Sequence, residues 1–584
     1  MSVTATINGL EVTVPEGTSI LEAARQVQVR IPTLCKHQDL FPSSACGLCI
    51  VKTGTGKKMP RACATALEEG MDITTHDAEL TEVRRATLEL ILSNHPNACQ
   101  TCGRNGDCEL QDRAGEFGIR QDYLPRRVTD LPCDDSTGSL ILDFSKCIKC
   151  GRCVQVCQEV QNVWALSFLD RGINTRMAPA GDITLAESPC IRCGQCSAHC
   201  PTGAIVENDE TATVWEALRD PGKICTVQIA PSVRVALGEA FGLPPGTNLT
   251  GKIYSALRRL GFKAIFDTTF AADLTIIEEA SEFVARFVEG KGELPLITSC
   301  CPAWVDYLEK NFSDLIPLFS TAKSPQQMLG ALAKTYYPEK TGLPADQIYQ
   351  VSIMPCTAKK YELERTEEMQ SSGRPDVDVV LTTREFARMI KQSGVDFLNL
   401  PDEKADSLLG EYSGAGLIFG NTGGVMEAAL RTAFNKVTGE NLPPEGINIT
   451  PVRGLEGIKT ATIPVADTKV RVAVAHGLAN VENLLLQVRE ARDQNKPPPW
   501  HFIEVMACPG GCIGGGGQPY GVCNEVRQKR MQGLLDTDEK MALRFSHENP
   551  EILQVYDEFL GEPLTGKAHE LLHTSYQPRP IYQK

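Results

Sequence analysis

Thiols dominate the chemistry open to this chain. Its 584 residues hold 23 cysteines, and most fall in short-spaced groups. Cys35, Cys46, Cys49 and Cys63 make one set, and Cys99, Cys102 and Cys108 beside His95 make a second. Two runs follow with one spacing, Cys147-x2-Cys150-x2-Cys153-x3-Cys157 and Cys190-x2-Cys193-x2-Cys196-x3-Cys200. Three further patches lie far apart, around Cys300-Cys301, Cys356 and Cys508-x3-Cys512. Disulfides would suit a small secreted domain, but this is a large chain opening on Met1-Ser2-Val3-Thr4-Ala5, without a charged-then-apolar leader. Recurrent C-x2-C pairs bring thiolates onto a common metal, and thiolates are the standard ligands of iron-sulphur clusters. Four thiolates would also satisfy tetrahedral zinc, which stays open for the first set.

Around the first set, Thr4-Ala5-Thr6-Ile7-Asn8-Gly9 and Leu10-Glu11-Val12-Thr13-Val14 predict a hairpin turning at Asn-Gly, and Thr18-Ser19-Ile20 starts a helix. Hairpin, helix and cysteine loop together resemble a plant-type ferredoxin. The C-x10-C-x2-C-x13-C spacing departs from that family's shorter first gap; the resemblance implies a 2Fe-2S cluster on a β-grasp ferredoxin-like module, residues 1–78. The set of His95, Cys99, Cys102 and Cys108 resembles the one-histidine, three-cysteine 4Fe-4S module of respiratory complex I and of modular hydrogenases, over 79–130. A lone histidine is more often a surface or packing residue; the incomplete cysteine set beside His95 is what argues for ligation. The duplicated run resembles the bacterial two-cluster ferredoxin, over 131–212, in which the last cysteine of each run ligates the other cluster. Cys147, Cys150, Cys153 and Cys200 then hold one 4Fe-4S cluster, and Cys190, Cys193, Cys196 and Cys157 the other.

The patches Thr298-Ser299-Cys300-Cys301-Pro302-Ala303-Trp304, Met354-Pro355-Cys356-Thr357-Ala358-Lys359-Lys360-Tyr361-Glu362 and Glu504-Val505-Met506-Ala507-Cys508-Pro509-Gly510-Gly511-Cys512 resemble, in order and detail, the signature patches of the FeFe hydrogenase catalytic domain. The resemblance implies an H-cluster: a 4Fe-4S cubane on Cys301, Cys356, Cys508 and Cys512, the last bridging to a two-iron unit carrying carbonyl, cyanide and azadithiolate. It implies Cys300 as a proton-donating thiol, with Glu279, Ser320 and Glu282 relaying protons outward. Glu279 and Glu282 lie three apart in a helical stretch and so share a face, although a solvated acidic face is the ordinary reading of such a pattern. Lys359 is implied as a charged donor to a cyanide, and Ala230, Pro231 and Ser232 as the loop around the other. Met354, Met506, Gln326 and Phe419 fall on pocket positions. With nineteen cysteines assigned as ligands, Cys300, Cys133, Cys225 and Cys523 remain.

These groups need elements to position them. Beyond residue 213, apolar runs such as Ile224–Ala230 and Val377–Leu381 alternate with helical segments, predicting a large α/β catalytic domain with mixed sheets over 213–584. The fold class is thus multidomain, α+β modules joined to an α/β domain. The small modules need their clusters as staples, whereas the last carries its own core. Gly510, Gly511 and Gly514–Gly517 suggest tight turns and close backbone approach to a large cofactor. No phosphate loop or dinucleotide fingerprint is present, so nicotinamide or flavin chemistry belongs to another protein.

With 58 basic and 73 acidic residues, a net charge of -15 argues against nucleic acid or an anionic membrane as partner. No apolar stretch is long enough to span a membrane, which makes the expectation a cytoplasmic protein. The sequence thus predicts reversible dihydrogen oxidation, with one 2Fe-2S, three accessory 4Fe-4S clusters and one H-cluster. The expected partners are dihydrogen, protons, and ferredoxin or a flavin-containing NAD(P)-binding subunit of an electron-bifurcating complex. A monomeric ferredoxin-dependent enzyme is the alternative. A non-catalytic electron-relay or iron-sulphur assembly protein is disfavoured, the first by the three late patches and the second by retention of Cys300, Lys359 and Glu279.

Overall fold

The computed structural model describes residues 1–54, 58–120, 124–128, 132–465 and 468–582. The expected boundary between residues 130 and 131 lies outside the described residues.

At the amino end the alternating pattern forms its hairpin, Ser2–Ile7 against Leu10–Pro15, in register from Ser2 opposite Pro15 to Ile7 opposite Leu10. Asn8 and Gly9 take φ of 51° and 80°, the left-handed pair a two-residue hairpin turn needs. Alternation buries Ala5, Ile7, Val12 and Val14, which pack in one core with the helix Ile20–Gln26. Ser19 caps that helix by accepting from the Glu22 amide. Asp72–Thr74 joins Ser2–Ile7 in parallel and Lys52–Thr53 completes a four-stranded sheet. The helix Ala78–Ser93, capped by Asp77, delivers the chain to His95. The duplicated cysteine runs lie between Leu140–Leu142 and its antiparallel partner Ile205–Glu207.

The large domain holds two four-stranded sheets. One is wholly parallel, in the order Ala264–Asp267, Ile224–Ile229, Ile348–Met354, Val379–Thr382. The other is mixed: Leu296–Ile297, Phe502–Met506 and Thr468–His476 run parallel, with Ile458–Val465 antiparallel at one edge. The expectation of mixed sheets therefore holds for one of the two. Its consequence is positional. Ala230-Pro231-Ser232 follows Ile229, Cys300-Cys301 follows Ile297, Cys356 follows Met354 and Cys508 follows Met506. All four functional segments leave carboxyl ends of parallel strands, where α/β folds place their ligands.

The modules are tied through buried polar contacts. The Ser43 hydroxyl donates to the Cys150 carbonyl at 2.8 Å, and Arg152 donates to the Lys36 carbonyl at 3.0 Å. Glu207 accepts from Arg384 of the large domain at 2.6 Å, and the Tyr520 ring lies 3.4 Å from the Arg104 guanidinium and 4.2 Å from that of Arg384. Among the described residues no helix is long and apolar enough to cross a membrane.

Candidate active site and cluster sites

Where the two sheets' strand ends meet lies a cavity of about 60 Å³. Ala230, Pro231, Ser232, Cys300, Gln326, Met354, Cys356, Lys359, Phe419, Met506 and Cys512 line it, with Thr268, Ala272, Pro325 and Gly420. Every pocket residue singled out from sequence is therefore on its wall. Cys301 and Cys508 stand behind Cys356 and Cys512: burial raises the Cys508 thiol far above its ordinary value, followed by the proximity of Cys356, Cys301 and Cys512. Burial, then Cys301, pushes Cys356 and Cys512 up to about 12. All 23 cysteines are free. Four buried sulphurs packed this closely, with no disulfide, can ionise together only around a cation, so the donor set fits a cubane.

Lys359 brings a cation to this apolar wall. Its Nζ donates to Glu362 Oε2 at 2.8 Å and to the Cys300 carbonyl at 3.3 Å. Glu362 also accepts from Ser324 Oγ at 2.9 Å and from Gln326 Nε2 at 3.1 Å, while Ser352 Oγ donates to Gln326 Oε1 at 2.9 Å. The buried ammonium is thus both paired and hydrogen-bonded. On the other side Gln518 Nε2 donates to Ser232 Oγ at 3.2 Å.

The helix Thr268–Phe287, capped by Asp267, starts on the cavity wall with Thr268 and Ala272 and runs away from it. Glu279 and Glu282 follow, about 10 Å and 15 Å further along at 1.5 Å per residue. Both are buried, Glu279 completely. The solvated acidic face is thus not what forms, because this helix packs on the helices Pro325–Lys334 and Gly424–Thr438. Neither Glu279 oxygen has a hydrogen-bond partner among the described residues. Burial, and then Glu282, push its carboxyl up to about 8, with Ser320 and the Ser299 backbone only partly offsetting this. Ser320 Oγ donates to Glu282 Oε2 at 2.9 Å, and Arg286 meets the other Glu282 oxygen at 2.6 Å. Burial and then Glu279 raise the Cys300 thiol well above its ordinary value, leaving it protonated at neutral pH.

Elsewhere the predicted sets also converge. Cys35 is within hydrogen-bonding reach of Cys46 and Cys63, and Cys63 of Cys49. Cys147, Cys150, Cys153 and Cys200 line one cavity, so the last cysteine of the second run does cross to the first. Burial raises Cys196, with Cys190 and Cys157 as the nearest charges. His95, Cys99, Cys102 and Cys108 line another cavity. His95 is buried; its Nδ1 donates to the Pro96 carbonyl at 2.9 Å, which leaves an unpartnered Nε2 lone pair. A carbonyl fixing the tautomer so that the other nitrogen is free is the usual support of a metal-bound imidazole.

The glycine run serves a contact between modules. Gly510 and Gly511 do turn at positive φ, 79° and 88°. The next four approach neighbouring protein closely: a Cβ on Gly514 would lie 2.1 Å from the Pro509 carbonyl, on Gly515 2.3 Å from that of Pro355, and on Gly516 2.3 Å from that of Cys193. Gly517 would meet Thr382 at 2.8 Å. The run lets the large domain sit against the cysteine loop of the neighbouring module, where Thr357 Oγ1 donates to the Arg192 carbonyl at 2.7 Å and Gln195 Nε2 to that of Gly514 at 2.9 Å. Sequence reasoning missed Glu362, Gln518, Gln195 and Thr357. Of these only Glu362 carried a signal, three residues after Lys359 on one short helix. His37, Asp39 and His199 also meet at a module junction, where Arg527 already pairs with Asp39 at 2.6 Å.

Five segments of the chain match families of known proteins. Residues 223–516 match the family described as iron only hydrogenase large subunit, C-terminal domain, and 524–579 the iron hydrogenase small subunit. Residues 1–78 match a 2Fe-2S iron-sulfur cluster binding domain, 84–122 the NADH-ubiquinone oxidoreductase-G iron-sulfur binding region, and 146–204 a 4Fe-4S dicluster domain. The chain is 46% identical over 588 residues to the NADP-reducing hydrogenase subunit HndD of Solidesulfovibrio fructosivorans, covering 99% of each. It is 41% identical to iron hydrogenase 1 of Clostridium pasteurianum, covering 98% of this chain and 100% of that one. Among solved structures, the apo FeFe hydrogenase of Chlamydomonas reinhardtii aligns with a TM-score of 0.56 at 42% identity, covering 64% of this chain and 99% of that one.

Proposed function

This chain belongs to the iron-only (FeFe) hydrogenase family, and from that premise we propose how its own residues carry the reversible oxidation of dihydrogen. When bound, the H-cluster supplies the cleavage of dihydrogen and takes up the electrons. Cys301, Cys356, Cys508 and Cys512 would hold it, and of these Cys356 and Cys512 stand on the cavity wall with Cys300 and Lys359. Lys359, paired with Glu362, and the Ser232 hydroxyl offer donors to anionic ligands in a dry pocket, where such bonds are strongest. Met354, Met506 and Phe419 exclude water. Cys300 passes a proton at its sulphur to Glu279, and Ser320 and Glu282 carry it toward Arg286 and the surface.

The convergence of three cysteine patches and one lysine on a single cavity supports this reading most. Lys359→Met tests it: the variant should keep its accessory clusters yet lose the infrared bands of a two-iron unit. Retention of those bands at parent intensity would remove Lys359 from the proposal.

The accessory clusters are one 2Fe-2S and three 4Fe-4S, in modules 1–78, 79–130 and 131–212, with the catalytic domain from 213. The sheet order at the amino end supports a β-grasp plan for the first. The Cys190, Cys193, Cys196 and Cys157 set would hold the cluster that exchanges electrons with the catalytic cubane, because Cys193 lies against the Gly514–Gly517 run and Cys508 is, after burial, the largest influence on its thiol. The chain acts as the hydrogen-activating subunit of an NAD(P)-linked complex whose flavin-bearing partner exchanges electrons with the amino-terminal clusters. Its similarity to an NADP-reducing hydrogenase subunit along the whole length supports this. A clean monomer with full ferredoxin-linked activity and no copurifying flavoprotein would overturn the partner assignment alone.

A further inference from the structure

The relay's middle member sits on a segment with little structure of its own. Residues 319–323 follow a short 3-10 turn and precede the helix Pro325–Lys334. One side is held by the sheet, where the Ser320 amide donates to the Ile297 carbonyl at 2.8 Å. The other side is held by the carboxyl-terminal tail. Ala322 and His573 form an antiparallel bridge, with the Lys323 amide donating to the Leu572 carbonyl at 2.7 Å and the Thr574 amide to that of Thr321 at 2.8 Å.

Two tail side chains then reach the relay. Tyr576 Oη donates to the carbonyl of Ser320 itself at 2.8 Å, while its ring packs edge-on against Phe319 at 5.1 Å. The His573 imidazole spans from Thr321 Oγ1, 2.8 Å from Nδ1, to Glu278 Oε2, 3.1 Å from Nε2. Glu278 precedes Glu279 on the relay helix. The tail is itself pinned from outside: Arg365 donates to Thr574 Oγ1 at 2.7 Å, Ser575 Oγ to Glu368 at 2.7 Å and Arg579 to Asp306 at 2.9 Å.

We propose that His573 and Tyr576 are positioning residues for the proton path, tying the helix of Glu279 and Glu282 to the loop of Ser320 so that its hydroxyl stays against Glu282. This rests on the relay proposed above. Ser320 to Glu282 is the link of the path that is hydrogen-bonded in this structure, and a displacement of about 1 Å is enough to cost on the order of 100-fold in rate. Ser320 Oγ and the Thr321 amide both donate to Glu282 Oε2, at 2.9 and 3.3 Å, so slippage of this segment loosens both bonds together. The tail lies within residues 524–579, outside the 223–516 match that holds the cavity. The proton path is therefore assembled from both matched segments.

Two near-isosteric variants of the full-length, matured protein test this. Tyr576→Phe keeps the ring on Phe319 and removes only the donor to Ser320; Thr321→Val removes only the partner of His573 Nδ1. Each should retain parent iron content and infrared bands, lose ~10-fold to ~100-fold in dihydrogen turnover, show a larger solvent deuterium isotope effect and shift its pH profile. Parent turnover, isotope effect and pH profile in both variants, alongside an inactive Glu279→Gln, would overturn the tail's role and leave the relay standing. If Glu279→Gln were fully active as well, the relay itself would fall. Loss of cofactor in both tail variants would also overturn the proposal, by making the tail a folding element only.

Discussion

Glu279→Gln should make the protein more stable and less active at once, and the two effects should separate with pH. The Glu279 carboxyl sits at about 8 against an ordinary 4.5. At 1.36 kcal/mol per pKa unit, that gap makes the buried carboxylate about 5 kcal/mol more costly than an exposed one. The folded state therefore holds a proton that the unfolded chain has released between pH 4.5 and 8, so Glu279's contribution to stability falls as pH rises through this window. Glutamine keeps the shape and cannot ionise. Thermal midpoints of parent and variant should coincide near pH 4.5 and diverge in the variant's favour toward pH 8.5, with about 5 kcal/mol as the upper bound. Turnover should move the other way, falling on the order of 100-fold to 10,000-fold, the usual worth of a positioned proton carrier. At pH 7 roughly one parent carboxyl in ten is ionised, so both forms are populated during turnover. The assays are calorimetric scans at several pH values, dihydrogen uptake with a dye acceptor, and infrared spectra showing the centre intact. Midpoints that shift equally at every pH would refute the burial argument, and turnover within a few-fold of the parent would refute the relay.

Cys300→Ala should keep iron content and the infrared bands while losing most turnover, whereas Cys301→Ala or Cys512→Ala should fail to hold an intact centre; loss of the two-iron unit in Cys300→Ala would contradict the separation of roles. His95→Ala should weaken one accessory cluster, read by iron count and electron paramagnetic resonance, with the catalytic infrared signature unchanged. Gly516→Ala forces a Cβ to within 2.3 Å of the Cys193 carbonyl and 2.6 Å of the Gly194 Cα, so the modules must part. A cost of about 1–3 kcal/mol and slower reduction of the accessory clusters by dihydrogen should follow, and reduction at the parent rate would show that this contact does not govern electron passage.

Ligand identity was legible wherever the ligands are close in sequence, because C-x2-C spacing by itself restricts which sulphurs meet. The hairpin was legible through Asn8-Gly9 and its flanking alternation. Placement of the catalytic cysteines was not, since it depends on pairing Ile348–Met354 with Ile224–Ile229 and Leu296–Ile297 with Phe502–Met506, strands more than a hundred residues apart in sequence. Glu278, Glu279 and Glu282 form a pattern that alone signals a wet helix face; their burial comes from helices and a tail supplied by distant sequence. The glycine run pointed to close approach, and the backbone it meets, that of Pro509, Pro355 and Cys193, is one that sequence alone does not name.

The most direct test of the central claim is an infrared spectrum of the anaerobically matured protein, taken before and after admitting dihydrogen, on a sample that is also assayed for hydrogen-dependent dye reduction. Bands of metal-bound carbonyl and cyanide that shift under dihydrogen, with reduction of the dye, are predicted. A fully iron-loaded protein lacking such bands and inert to dihydrogen would contradict the account.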